Sequence, residues 1–225
     1  MSYGTTFPAL RAAAGGHWPA YTRHAFVRSM GTGELPSAAF LHYLRQDYLF
    51  LIHFSRAWAL AVTKAPDLPA MRACAATVHA LLDEEMKLHV ATCAAAGIPE
   101  AELLATPEAV ECVAYTRFVL DCGHAGDFLD LLVALAPCVL GYGEIGTALR
   151  DEATSDAYAD WIATYAGDEY QGVCEGVAVL IDRTVAERIG PAPEASPRWA
   201  SLVETFATAT RLEAAFWDMG LRGCP

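Results

Sequence analysis

Strand-length segments of alternating polar and apolar residues are missing from this sequence, and β-branched residues are thin beside alanine, leucine and glutamate. These absences argue against a sheet and leave helices as the building material. Charge is scarce too: Asp, Glu, Lys and Arg make up 19% of the chain against 54% hydrophobic residues. That balance excludes disorder and requires much apolar surface to be hidden, a buried subunit interface being one outlet. The net charge of −12 argues against nucleic acid or an anionic membrane as partner, since either calls for clustered lysine and arginine. Small uncharged or cationic ligands suit it better. The seven cysteines are odd in number and include no C-x-x-C pair, so neither a disulfide framework nor a zinc ribbon is indicated, and a reducing cytoplasm fits. The first twenty residues lack a basic start followed by a long apolar core, and charges or Gly/Pro interrupt the longer hydrophobic segments. Neither a signal peptide nor a convincing membrane span is expected. With no repeat, no low-complexity tract, no G-x-S-x-G and no Walker loop, one all-α domain spanning residues 1–225 is the economical reading.

What is present is a succession of helix signals. Phe7 to Met30 reads as one or two amphipathic pieces broken around Gly15-Gly16. Pro36-Ser37 opens a long helix whose stripe runs Phe40, Tyr43, Leu44, Asp47, Phe50, Leu51, Phe54 and Trp58. Asp47 in that stripe either pairs with an arginine such as Arg45 or Arg56 or lines a pocket. Ala70 to Ala96 is the next helix. Its Glu85 and His89, four apart, could hold a metal, form a partly solvated pair or make an interhelix hydrogen bond. Thr106-Pro107-Glu108 predicts a helix start with Thr as cap, the helix running to Gly123 with Tyr115 on it. Further helices are expected over Asp127 to Arg150, Asp156 to Tyr165, Asp168 to Arg188 and from Ser196-Pro197 onward.

The fourth-last of these stretches, Leu131 to Gly146, delivers Cys138 and Tyr142 to one helix face within an inward stripe. Cysteine in such a stripe is ordinarily a small hydrophobic filler, so a chemical role needs partners from elsewhere. Gly141-Tyr142-Gly143-Glu144-Ile145-Gly146 matches the dinucleotide-binding string G-x-G-x-x-G, but without a β-α-β unit around it the match carries nothing. A di-iron carboxylate site would need two Glu-x-x-His motifs, whereas Asp121 to His124 straddles Gly123, where a helix should end. His17 or His24 as a lone haem ligand is weaker than a surface or core histidine. There remain Asp47, Tyr115, Cys138 with Tyr142, Tyr165 and Glu213 on inward faces of separate helices. Buried polar groups must satisfy one another or a ligand, so their convergence would make a polar-lined cavity. A thiol, tyrosines and a carboxylate together are what covalent catalysis requires.

Gln46-Asp47-Tyr48, Ala114-Tyr115-Thr116, Leu135-Ala136-Pro137-Cys138 with Gly141-Tyr142 and Glu144-Ile145-Gly146, Trp161-Ile162 with Tyr165, and Glu213 followed by Phe216-Trp217-Asp218-Met219 resemble, in order and spacing, the TenA or thiaminase II family. The resemblance runs from Phe40 to Met219 and implies the haem-oxygenase-like helical fold without haem. It also implies a homotetramer acting in thiamin salvage with no cofactor. By the same resemblance Cys138 is the nucleophile, Glu213 the acid/base residue and Tyr115 a hydrogen-bond donor to the cysteine. Asp47 anchors the aminopyrimidine edge, with Tyr142, Tyr165, Phe50 and Phe216 as substrate contacts and no metal. The implied reaction is hydrolysis at the pyrimidine methylene of 4-amino-5-aminomethyl-2-methylpyrimidine or of thiamin. The competing readings are an oxidase on the same fold and a non-catalytic pyrimidine-binding or regulatory protein.

Phe50 departs from the family, many members of which carry tyrosine at this position. The missing hydroxyl removes a hydrogen bond favouring thiolate, worth on the order of 1 kcal/mol. Phe50→Tyr is therefore expected to make the Cys138 thiol more acidic, which thiol titration would read. An unchanged rate and thiol pKa would refute this.

Overall fold

The computed structural model describes residues 3–223, leaving Cys224 outside the described residues. Twelve α-helices follow one another: α1 (Thr6–Ala13), α2 (His17–Thr22), α3 (Ala25–Thr32), α4 (Ser37–Lys64), α5 (Leu68–Ala80), α6 (Met86–Ala95), α7 (Glu100–Ala105), α8 (Val110–Ala125), α9 (Phe128–Glu152), α10 (Ala159–Ala166), α11 (Asp168–Ile189) and α12 (Trp199–Arg222). Among the described residues there is no strand.

The start of α9 is fixed by a reciprocal cap. Asp127 accepts from the amides of Leu129 and Asp130, while the Asp130 carboxylate accepts from the amide of Asp127 at 2.8 Å. Arg198 reaches across from the foot of α12 to both acids at 2.9–3.0 Å, which ties two central helices together at one end. The expectation of a single inward stripe on α9 is too narrow. From Phe128 to Gly146 every residue but Asp130 and Glu144 is buried, because α8, α10, α11 and α12 surround the helix. Length and composition alone would let α9 cross a membrane, but 89% of its apolar window is already covered by its own fold.

The glycines of the misleading string serve this crowding. A Cβ at Gly141 would strike the ring of Tyr21, and one at Gly146 would lie 2.6 Å from the backbone carbon of Tyr165 and 2.8 Å from the Ala166 nitrogen. Backbone therefore packs on backbone where α10 crosses α9. Pro137, inside the helix, removes one ladder donor immediately before Cys138.

Four boundary expectations need correction. The N-terminal stretch folds as three helices rather than one or two, with a further break at Arg23-His24, where His24 caps α3 through its ring and also meets Asp218. Ala70 to Ala96 contains a π-helical turn, Leu81–Glu85, between α5 and α6, and starts earlier, at Leu68, behind the Asp67 cap. Thr106-Pro107 does not begin a helix. Thr106 ends the unforeseen α7, and the Gln46 amide holds the next residues extended by donating to Pro107 O at 3.0 Å and accepting from Ala109 N at 2.8 Å, so α8 starts at Val110. Gly123 does not stop that helix either: it is buried against Leu60 and Leu131, where lack of a side chain permits close approach, and α8 continues to Ala125.

Candidate active site

The inner half of α4 supplies the first acid. Asp47, 3% exposed, lies in the aromatic stripe as the pattern required. It is not paired with arginine: Arg45 reaches Glu102 and Arg56 lies against His53. Its Oδ2 instead accepts from the Tyr43 hydroxyl at 2.9 Å, one turn back, and lies 2.6 Å from His89 Nε2 on α6. The other ring nitrogen, Nδ1, faces the Glu85 carbonyl at 2.9 Å. Both nitrogens thus face acceptors, an arrangement that favours the doubly protonated ring. Burial alone would lower the His89 value, but the hydrogen bond and charge of Asp47 outweigh it and raise it. Oδ1 of Asp47 has no hydrogen-bond partner among the described residues.

The second acid comes from α12. Glu213, 2% exposed, accepts from the Tyr115 hydroxyl of α8 at 2.8 Å. Burial pushes this carboxyl up to about 8, against the lowering effect of Tyr115, and nearby Asp47 adds to the rise. The Cys138 thiol of α9 also lies close enough to act on it. This is where the structure differs from the expected Tyr115 to Cys138 bond: the hydroxyl goes to the carboxyl, and the carboxyl faces the thiol. Burial first, then the charge of Glu213, pushes the thiol well above its ordinary value. Both shifts favour the protonated form of the thiol and of Glu213 at neutral pH.

Aromatic rings close the remaining sides. Phe50 packs between Tyr115 (5.0 Å between ring centres) and Phe216 (5.6 Å), and Phe216 stands edge-on to Tyr43. Tyr142 contacts Tyr165 and Trp217, its hydroxyl 3.5 Å from that of Tyr43. Tyr165, buried on α10, donates to Glu85 Oε1 at 2.6 Å. All eight residues singled out from the sequence are thus buried, on α4, α8, α9, α10 and α12. A cavity of about 380 Å³ opens from outside onto Cys138 and Glu85 between α5, α10 and α11, while the buried Asp47, Tyr115 and Glu213 are not among its lining residues.

With this geometry in view, the comparison with known proteins is decisive, because residues 11–223 match the TENA/THI-4/PQQC family. The chain belongs to that family. Its fold is accordingly the haem-oxygenase-like helical fold of TenA proteins, shared at TM-score 0.96 and 57% identity, over 97% of each chain, with a protein of Silicibacter sp. TM1040 described as a TenA family transcription regulator. An uncharacterized protein of Haemophilus influenzae is 38% identical over 91% of this chain and 94% of its own. The aminopyrimidine aminohydrolase of Halalkalibacterium halodurans is 36% identical over 90% and 89%.

Three residues that meet the side chains of this TenA-type centre were not assigned to the candidate site from the sequence: Tyr43, read only as part of the α4 stripe, and Glu85 and His89, weighed only as a pair or an interhelix contact. The signal was there, since Tyr43 to Asp47 and Glu85 to His89 are both four apart on helices. Of the three readings left open for Glu85 and His89, the interhelix hydrogen bond is the observed one. His89 is fully buried, and Glu85 is only partly so because it borders the cavity. Among the described residues, no three His, Cys, Asp or Glu side chains group as a metal would need.

Proposed function

We propose that this TenA-family protein hydrolyses the C–N bond at the pyrimidine methylene of 4-amino-5-aminomethyl-2-methylpyrimidine, releasing ammonia and 4-amino-5-hydroxymethyl-2-methylpyrimidine, with thiamin as the alternative substrate. The observation that carries it is the buried series Tyr115, Glu213, Cys138, whose thiol end borders a cavity open to small molecules. The relative named aminopyrimidine aminohydrolase supports the same class of reaction, a hydrolase of thiamin metabolism. Asp47 would hold the 4-amino group through its unpartnered Oδ1, its orientation fixed by Tyr43 and His89.

Because thiol and acid are both neutral at rest, the addition need not separate charge in a buried site. Sulfur bonds to ring carbon C6 while Glu213 gives its proton to ring N1 and takes the thiol proton on its other oxygen. The ring, no longer aromatic, pushes electrons toward the methylene, and the amine leaves with the C–N pair. Water adds at the methylene and its proton ends on the released ammonia. Cleavage of the C–S bond then returns the pair to sulfur, which takes a proton from Glu213 while N1 gives its own back to that carboxyl, and the ring is restored. The scheme calls on no cofactor. The unpaired cysteine pattern suits a reducing cytoplasm, and the family resemblance leads us to propose a homotetramer.

The direct test is product analysis: release of ammonia and the hydroxymethyl compound from the aminomethyl substrate supports the reading. Tight binding of the pyrimidine without turnover would replace it by a binding protein. A pH profile gives a second test. Glu213 acts as an acid only while it keeps its proton, so kcat/KM is expected to fall as pH rises through about 8. A rate still climbing at pH 10 would remove Glu213 from that role.

A further inference from the structure

Glu213, assigned above to the ring, is not part of the lining of the cavity through which an amine would leave and water would enter. That cavity is bordered by a different acid. Glu85 and Cys138 line the same cavity of about 380 Å³. We propose that Glu85 is the leaving-group subsite of this centre, its carboxylate binding the protonated primary amine on the substrate methylene and then accepting a proton from the water that replaces it. The inference rests on the hydrolase reading above and deepens it.

Four observations carry it. The Glu85 side chain is aimed rather than loose: Tyr165 holds Oε1 at 2.6 Å, and His89 Nδ1 holds the backbone carbonyl at 2.9 Å. Oε2 meets no donor among the described residues, so one oxygen is left for a ligand. The residue closes a π-helical turn, a local irregularity often found where a helix serves a site. Glu84, Asp168 and Glu169 continue the acidic lining outward, and no lysine or arginine belongs to it, so the cavity attracts cations along its length.

Charge follows the same logic. Glu85 faces Asp47 and Tyr43 on α4, Cys138 on α9, Tyr165 on α10, Tyr170 on α11 and Glu213 on α12, with His89 on its own side. Burial pushes it up to about 7, His89 opposing and Asp47 adding. An arriving ammonium supplies the missing counter-charge and favours the ionised form.

The balance is simple. The substrate nitrogen arrives carrying three protons, so when the C–N bond breaks it takes the electron pair and departs as neutral ammonia, needing no acid. Water oxygen then bonds to the methylene, its proton passes to the Glu85 carboxylate, and the released ammonia finally removes it as ammonium. A quaternary thiazolium nitrogen has no N–H to offer Oε2. The subsite therefore selects primary amines over thiamin.

The test is binding by calorimetry in a Cys138→Ser background, where no turnover interferes, with and without Glu85→Gln. The aminomethyl compound is expected to bind roughly 10- to 100-fold more weakly once the carboxylate is neutralised, the range for a charge-assisted hydrogen bond. The neutral hydroxymethyl compound should bind within about threefold of its former affinity, because it engages the ring contacts alone. Equal losses for both compounds would assign Glu85 a merely structural part and overturn the proposal, as would no loss for either. If the Cys138→Ser protein binds neither compound, the hydrolase reading falls and takes this one with it. If it binds the hydroxymethyl compound while Glu85→Gln changes nothing, the role of Glu85 alone falls.

Discussion

Cys138→Ser is expected to cut hydrolysis of the aminomethyl substrate by roughly 10⁴-fold or more, the scale on which covalent catalysis collapses when its nucleophile is removed. Glu213→Gln should cost roughly 10²- to 10⁴-fold, since it removes one proton carrier while keeping shape and the acceptor for Tyr115. Both are read by ammonia release under saturating substrate. The double variant should be little worse than Cys138→Ser alone, because thiol and acid act in one step. A serine variant that keeps rates within about tenfold of the parent would exclude sulfur as the attacking atom.

Asp47→Asn is the second large effect, and it combines stability with binding. The substitution leaves a doubly protonated His89 ring fully buried without its counter-charge. Breaking one side of a buried pair costs about 3–5 kcal/mol, which urea unfolding would read. Loss of the edge contact should also weaken pyrimidine binding roughly 100-fold. Adding His89→Gln to Asp47→Asn removes the orphaned charge and is expected to recover much of the stability but none of the affinity. The pH dependence has a definite sign. Because His89 is raised in the folded protein, its stabilisation is complete below its ordinary value of 6.5 and is lost as pH climbs through the higher folded value. Unfolding free energies for Asp47→Asn and the parent should therefore converge at alkaline pH. If Asp47→Asn is as stable as the parent at pH 6, the pair carries no such weight.

Much of the fold was legible because helix ends are written locally. Asp127 with Asp130, Pro36-Ser37 and the Gly167 break can each be read from neighbouring residues alone. The start of α8 could not be, since a glutamine on another helix decides it. Cys138 was placed correctly by a stripe argument that has little discriminating force on a helix buried on all sides; the family resemblance is what singled it out. The inward placement of the eight residues was legible, but their connections were not. Which hydroxyl meets which carboxyl is a matter of a few ångströms between helices, and spacing along one chain carries no such information. Glu85 was weighed with His89 as a local pair, whereas its partner Tyr165 is eighty residues away.

The contact at Gly146 bears on how this pocket could be reshaped. Tyr165 keeps its distance from α9 because nothing stands between two backbones there, so any side chain at 146 would carry Tyr165, and with it Glu85, away from Cys138. A designer seeking room for bulkier ligands should leave that crossing alone and shorten Thr77, Leu81 or Val173, whose side chains also line the cavity. The lining thus has one part fixed by backbone contact and one part that can be cut back.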